Sequence, residues 1–289
     1  MIISVLVALA CGCYALFLGQ DINWDLQNYH LYNPYAFLND RILFDLAPAG
    51  LQTWFSPLLD LAYFFAISNL SPKTVGFFLG FIQGLNFFLV YKIAQIILSA
   101  HARKPFYSLL LALAGILSVG FVAEIGSTMQ DSTVALFPLL SLWIILQTTG
   151  QINAVNQRPV YRLLALAGFI SGIGIGLKLV TAIYALALCL SILVLSVSWS
   201  SRLKYAILFG LAVLAGMFLT GGYWLLEMWN LYGNPLFPQF NNIFHGEMAP
   251  TEPIRDIRFL PKSLFEKIFY PILFTFDPQR VAELRYEQY

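Results

Sequence analysis

Charged residues are scarce in this sequence. Asp, Glu, Lys and Arg together make up 11% of the 289 residues, whereas hydrophobic residues make up 59%. The mean hydropathy is +0.72, which lies outside the range of soluble globular domains. A formal net charge of +1 gives no general attraction to polyanions, so we exclude nucleic acid as a partner.

Cysteine is equally scarce, with three residues, and so is histidine, also with three. Cys11, Cys13 and Cys189 lie in apolar stretches, and no histidine or second thiol pair stands at the spacing of a zinc site. We interpret these cysteines as small buried apolar residues. No basic residue precedes the first apolar stretch, at residues 1–19, so this stretch is interpreted as a retained transmembrane helix rather than a signal peptide.

Apolar runs near the length needed to cross a hydrocarbon core of roughly 30 Å are the dominant feature of the chain. We therefore predict an all-α polytopic membrane protein with about seven transmembrane helices and a single transmembrane domain over residues 1–289. The predicted spans are residues 1–19, 75–98, 106–123, 132–149, 161–177, 179–199 and 205–226. Whether the chain is a fragment of a longer protein is left open by the sequence.

The distribution of Lys and Arg predicts the orientation of these spans. Basic connections at residues 101–104, 158–162 and 202–204 fall on one side, which is the cytoplasmic side by the positive-inside rule. This holds if residues 51–70 lie in the interface; if they crossed the membrane, every basic connection would lie outside. The predicted location is a bacterial inner membrane, with the acidic connections and the active site on the outer face.

Two long segments are predicted on that outer face. The first covers residues 20–74 and is called here the 20–74 segment. It is too long for a simple connector and is predicted to hold interfacial helices at residues 24–39 and 51–70. The second covers residues 227–289, and residues 264–276 within it are either an interfacial helix or the beginning of an incomplete eighth span.

The 20–74 segment carries five aspartates, and Asp25 is the candidate catalytic residue among them. In a helix, Asp25 and Tyr29 share one face, and His30 follows directly. A partly desolvated carboxylate can act as a general base toward an acceptor hydroxyl, so we predict this role for Asp25 and substrate binding for Tyr29 and His30. The alternative is that Asp25 only caps the helix that follows it.

Five further charged residues are candidates for ligand binding. Glu124 and Asp131 flank a short polar connection and could hold a divalent metal ion, or else be helix-end charges. Lys178 lies between two apolar runs, where a lysine needs an anionic partner such as a phosphate, or must extend its side chain to the interface. Arg255 and Arg258 could clamp a phosphate, or form a solvated charge cluster.

This layout resembles the GT-C superfamily of membrane glycosyltransferases, which includes protein O-mannosyltransferases, aminoarabinose transferases and the catalytic subunit of oligosaccharyltransferase. Residues 24–29 stand in place of the family's first acidic motif, residues 47–57 in place of its proline-containing turn, and residues 124–131 in place of its second acidic motif. One departure is that Leu26, not a second acid, follows Asp25.

The resemblance implies an enzyme that transfers a sugar from a polyprenyl-phosphate donor in the membrane to an acceptor at the outer face. It also implies that Asp25 is the base, that Glu124 and Asp131 are the second acidic pair, and that Lys178 binds the carrier phosphate. Two other functions remain open: a secondary transporter, and a non-catalytic scaffold or lipid-binding subunit. Transporters usually place ionisable groups at the membrane midplane, whereas these acids are predicted at its outer face.

Overall fold

The computed structural model describes residues 2–150, 158–252 and 260–277, and every regular element within these ranges is a helix. Four helices are long and apolar enough to cross a membrane: Pro72–Ile97, Asp131–Thr149, Arg158–Leu177 and Trp199–Tyr232. Shorter apolar helices cover Ile2–Leu18, Leu58–Asn69, Lys104–Ile116 and Leu179–Ile192. The predicted all-α class is confirmed, and the four long helices are consistent with a membrane protein.

The helices follow one another with few long connections. The α-helices are α1 (Ile2–Leu18), α2 (Tyr32–Leu38), α3 (Leu58–Asn69), α4 (Pro72–Gly84), α5 (Asn86–Ile97), α6 (Lys104–Ile116), α7 (Val119–Glu124), α8 (Asp131–Val134), α9 (Leu136–Thr149), α10 (Arg158–Leu177), α11 (Ala182–Ile192), α12 (Trp199–Tyr232), α13 (Asn241–Phe244) and α14 (Leu264–Phe276). A π-helical turn covers Leu26–His30, and 3-10 turns cover Gly50–Trp54 and Leu179–Thr181.

The helices predicted over residues 106–123 and 51–70 are not continuous. The stretch predicted over residues 106–123 divides at Ser118, whose backbone is extended, into α6 and α7. The stretch predicted over residues 51–70 divides before Pro57, into the 3-10 turn Gly50–Trp54 and α3. Phe55 between them is extended, and only α3 is an α-helix.

The last long helix is longer than predicted. It begins at Trp199, where the Ser198 side chain accepts a hydrogen bond from the Ser201 amide, and it ends at Gly233, which adopts a left-handed conformation with φ of 63°. Hydrophobicity alone could not detect either boundary, because both depend on hydrogen bonds and backbone geometry at the helix ends.

Glycine allows α10 and α12 to pack with their backbones in close contact. A Cβ atom at Gly172 would lie 2.0 Å from the Val213 carbonyl oxygen, and one at Gly216 would lie 2.1 Å from that of Phe169. Such close packing through small residues is typical of membrane helices. It fixes the position of the carboxyl end of α10, after which Lys178 follows directly.

The 20–74 segment packs against the carboxyl-terminal half of α12. Trp224 Nε1 donates a hydrogen bond to the Trp54 carbonyl oxygen at 3.0 Å. The Trp54 ring also meets Tyr232 and Phe237 edge to face, with centroids 5.0 and 6.2 Å apart. Edge-to-face contacts are favourable arrangements for aromatic pairs. These contacts bring the segment's polar residues next to the end of α10.

Candidate active site

A cavity of about 260 Å³ lies between the 20–74 segment, the end of α10, α12 and the residues that follow α12. Its charged and hydrogen-bonding lining residues include Tyr29, His30, Asp60, Gln130 and Lys178. Its apolar lining includes Ile175, Val180, Met217, Trp224, Leu225 and Phe237. A cavity that is mostly apolar but carries a few convergent polar groups is the usual form of a small-molecule site.

Asp25 does not line this cavity but is connected to it through Tyr29. The Tyr29 hydroxyl donates a hydrogen bond to Asp25 Oδ2 at 3.1 Å, and Gln52 Nε2 donates to Oδ1 at 3.4 Å. Burial, followed by the neighbouring Asp25 carboxylate, raises the pKa of Tyr29 far above its ordinary value. Tyr29 is therefore a neutral hydroxyl that can both donate and accept a hydrogen bond.

The alternative role for Asp25, capping of the next helix, is performed by another residue. Asp25 makes no side-chain hydrogen bond to the backbone of the turn that follows it. Instead, Asn23 Oδ1 accepts a hydrogen bond from the Leu26 amide at 2.8 Å. The Asp25 carboxylate accepts its hydrogen bonds from Tyr29 and Gln52 instead. The catalytic role of Asp25 stays a prediction.

His30 is 2% exposed and is fixed by a buried carboxylate that we did not single out from the sequence. Its Nδ1 lies 2.7 Å from Oδ1 of Asp60, and Gln130 Nε2 donates to the same oxygen. Asp60 is 4% exposed and lies in the first turn of α3. The available sequence signal was an acidic residue in an otherwise apolar helix, which is costly unless it has partners.

Lys178 and Asp131 form an ion pair at the edge of the cavity. Lys178 Nζ lies 2.7 Å from Asp131 Oδ1 and donates a second hydrogen bond to the Met129 carbonyl oxygen at 2.6 Å. The Lys178 side chain is 28% exposed and that of Asp131 is 51% exposed. Lys178 thus has an anionic partner within the protein and is also a lining residue of the cavity.

Glu124 and Asp131 both line a second cavity, also of about 260 Å³. Glu124 Oε2 accepts hydrogen bonds from the amide and hydroxyl groups of Ser132 at 3.0 and 2.9 Å. An ammonium group already lies against Asp131, and the described residues contain no group of three His, Cys, Asp or Glu side chains suited to a metal. Asp131 therefore takes part in an ion pair, whereas Glu124 is bonded by Ser132. Metal binding by Glu124 and Asp131 stays a prediction, and no step below depends on it.

The predicted site residues are thus brought together in part. Tyr29, His30 and Lys178 line one cavity, and Asp25 and Asp131 are each one hydrogen bond away from a lining residue. Arg255 and Arg258 lie outside the described residues.

Comparisons with known protein families, with curated proteins and with solved structures find no match.

Proposed function

We propose that this protein is a membrane glycosyltransferase that moves a sugar from a polyprenyl-phosphate donor to an acceptor hydroxyl. The observation that carries the proposal is the composition of the cavity. Tyr29, His30 and Lys178 provide polar contacts, and apolar residues of α10 and α12 line the same space. Such a site suits a ligand that joins a hydroxyl-rich head group and an anionic phosphate to an apolar chain.

In this proposal the acceptor oxygen attacks the anomeric carbon of the sugar. The bond from that carbon to the phosphate oxygen breaks, and its electron pair leaves with the polyprenyl phosphate. Lys178 stabilises the phosphate by its charge. The proton of the acceptor passes to the Tyr29 hydroxyl as Tyr29 passes its own proton to Asp25, so that Asp25 is the final base. The 3.1 Å hydrogen bond between Tyr29 and Asp25 supports this path.

The finer architecture belongs to the same proposal. It has seven membrane spans in the arrangement of the GT-C superfamily, an inner-membrane location, and the cavity on the outer face. The four long apolar helices and the shorter ones between them support it. The 20–74 segment, packed on α12 next to the cavity, takes the part of the family's first outer loop.

Transfer of labelled sugar tests the proposal directly. We would reconstitute the full chain in lipid nanodiscs and supply decaprenyl phosphate carrying radiolabelled mannose, glucose, galactose or arabinose, together with bacterial membrane extract as the source of acceptor. We expect label to leave one of these donors for a new product, and Asp25→Asn to reduce the rate by roughly 100-fold or more.

The matched control is Asp40→Asn, because Asp40 is exposed in the same segment. We expect this variant to transfer sugar at the rate of the unmodified protein. Full activity of Asp25→Asn would remove Asp25 from the mechanism. Absence of transfer from every donor, with protein that remains folded, would contradict the proposed function itself.

A further inference from the structure

Three large apolar side chains are exposed together in the loop between α2 and the 3-10 turn Gly50–Trp54. Leu43 is 62% exposed, Phe44 is 75% exposed and Leu46 is 99% exposed. These three residues are called here the apolar tip. Single exposed apolar residues are common on protein surfaces, whereas a group of large ones marks a surface that contacts something else.

The residues around the apolar tip are fixed to the carboxyl-terminal part of α12. The Phe37 ring meets the rings of Tyr223 and Trp224 edge to face, with centroids 6.0 and 6.4 Å apart. Ile42, which precedes the tip, and Ala47, which follows it, pack on the hydrophobic cluster that contains Trp224. Only residues 43–46 separate these two contacts, and one residue spans at most about 3.6 Å. The apolar tip therefore lies beside the carboxyl-terminal turns of α12.

Those turns of α12 contain the point at which a membrane span ends. The run of 22 residues at positions 205–226 holds no Asp, Glu, Lys or Arg, and Glu227 follows it. At a rise of about 1.5 Å per residue, such a run covers the roughly 30 Å of a hydrocarbon core. Tyr223 and Trp229 are exposed on either side of Glu227, and aromatic residues of this kind are enriched at membrane–water interfaces. The apolar tip thus lies near the boundary of the hydrocarbon core.

The charged residues next to the apolar tip are paired with each other. Arg41 donates to both carboxylate oxygens of Asp45, from Nη2 at 2.6 Å and from Nε at 2.9 Å. The Tyr32 hydroxyl also donates to Asp45 at 2.9 Å, and the Arg41 guanidinium lies 5.0 Å from the centre of the Phe44 ring. Polar groups with such partners are less costly to bring toward an apolar medium. The tip can therefore approach hydrocarbon without leaving Arg41 or Asp45 unpaired.

We infer that the apolar tip inserts into the membrane, at the boundary between head groups and acyl chains around this end of α12. Arg41 is already paired with Asp45, and Asp40 adds a negative charge, so insertion depends on burial of apolar surface and not on anionic lipid. Insertion ties the 20–74 segment to the membrane next to the cavity, because Trp54 belongs to the cluster described above and also lines the cavity. The inference does not depend on sugar transfer.

Quenching of a fluorophore by lipid tests the inference on the full chain, with its three cysteines replaced by alanine and one chain in each phosphatidylcholine nanodisc. Leu46→Cys carries an NBD fluorophore at the apolar tip, and Glu247→Cys carries it at an exposed acidic position. Lipids with a doxyl group high on the acyl chain quench a fluorophore that lies near the head groups. We expect strong quenching and blue-shifted emission at position 46 and neither effect at position 247.

A second variant separates insertion of the tip from insertion of the fluorophore. Phe44→Ser in the Leu46→Cys protein should weaken the quenching, because it removes an apolar side chain from the tip. Undiminished quenching in Phe44→Ser, or equal quenching at positions 46 and 247, would overturn the inference. So would shielding that appears only with two chains in each nanodisc, which would assign the tip to a second copy. Quenching that requires phosphatidylglycerol would also overturn it, because the contact would then belong to Arg41 and anionic head groups.

Discussion

Asp21 anchors the start of the 20–74 segment to a connection more than one hundred residues further along the chain. Its Oδ2 accepts hydrogen bonds from both the amide and the hydroxyl group of Thr128, each at 2.8 Å. The same carboxylate also accepts from the Asn23 side chain, and Asp21 is buried. Gln130, which lines the cavity and bonds Asp60, and Asp131, which bonds Lys178, follow Thr128 closely. The anchor therefore joins two of the polypeptide segments that form the polar part of the site.

Removal of this anchor should destabilise the protein. Asp21→Ala leaves the buried donors of Thr128 without an acceptor, and we expect the free energy of unfolding to fall by roughly 2–4 kcal/mol. The measurement is the thermal unfolding midpoint in detergent, with Asp40→Asn as the exposed control. An unchanged midpoint in Asp21→Ala would show that the contact contributes nothing to stability.

The close packing of α10 on α12 gives a second prediction. Gly172→Ala places a methyl group against the Val213 backbone, which cannot move without shifting the helix, and we expect a loss of about 1–3 kcal/mol in stability. Gly210→Ala is the matched control, since Gly210 lies within α12 and has open space around its Cβ position. Thermal midpoints of the two variants should differ clearly. Equal midpoints would mean that the helices separate at little cost.

The exposed ion pair between Lys178 and Asp131 allows stability and ligand binding to be separated. Because both side chains are substantially exposed, we expect Lys178→Gln to change stability by less than about 1 kcal/mol. In the proposed function, however, Lys178 is the cation that meets the donor phosphate, so this variant should bind decaprenyl phosphate about 10- to 100-fold more weakly.

Tryptophan fluorescence reports this binding, because Trp54 and Trp224 line the cavity. Lys73→Gln is the control, since Lys73 is exposed and lies at the start of α4. Unchanged affinity in Lys178→Gln would remove Lys178 from phosphate binding, whatever its effect on stability.

The sequence was sufficient to predict the class of fold, because long apolar stretches with few charges leave a chain few alternatives to membrane helices. It also predicted that Tyr29 and Asp25 share a helical face, and the hydrogen bond between them confirms this relation. Both predictions follow from local periodicity, which a single sequence displays directly.

The partner of His30 could not be predicted in the same way. Asp60 lies 30 residues away, and Gln130 a further 70 residues along the chain. Their meeting depends on how the 20–74 segment packs against distant helices, which periodicity does not encode. A buried acid in an apolar helix indicates only that some partner exists. It does not identify which histidine or amide supplies the contact.

The local environment of Glu124 gives the remaining prediction, a dependence of stability on pH. Burial, followed by the nearby Asp131 carboxylate, raises the pKa of Glu124 above its ordinary value of 4.5, although the hydrogen bonds from Ser132 oppose this. The folded protein therefore holds this proton more tightly than the unfolded chain does. The resulting stability is fully present below pH 4.5 and is lost as the pH rises through the folded-state pKa.

Glu124→Gln removes the ionisation but keeps an oxygen that can accept from Ser132. As the pH is lowered from neutral toward 4.5, we expect the unmodified protein to gain stability relative to this variant. Thermal midpoints of both proteins across that range give the difference, and other titrating groups cancel because they are common to both. Glu247→Gln, at an exposed position, should follow the unmodified protein at every pH. If the midpoints of Glu124→Gln and the unmodified protein move in parallel, Glu124 does not bind its proton more tightly in the folded state.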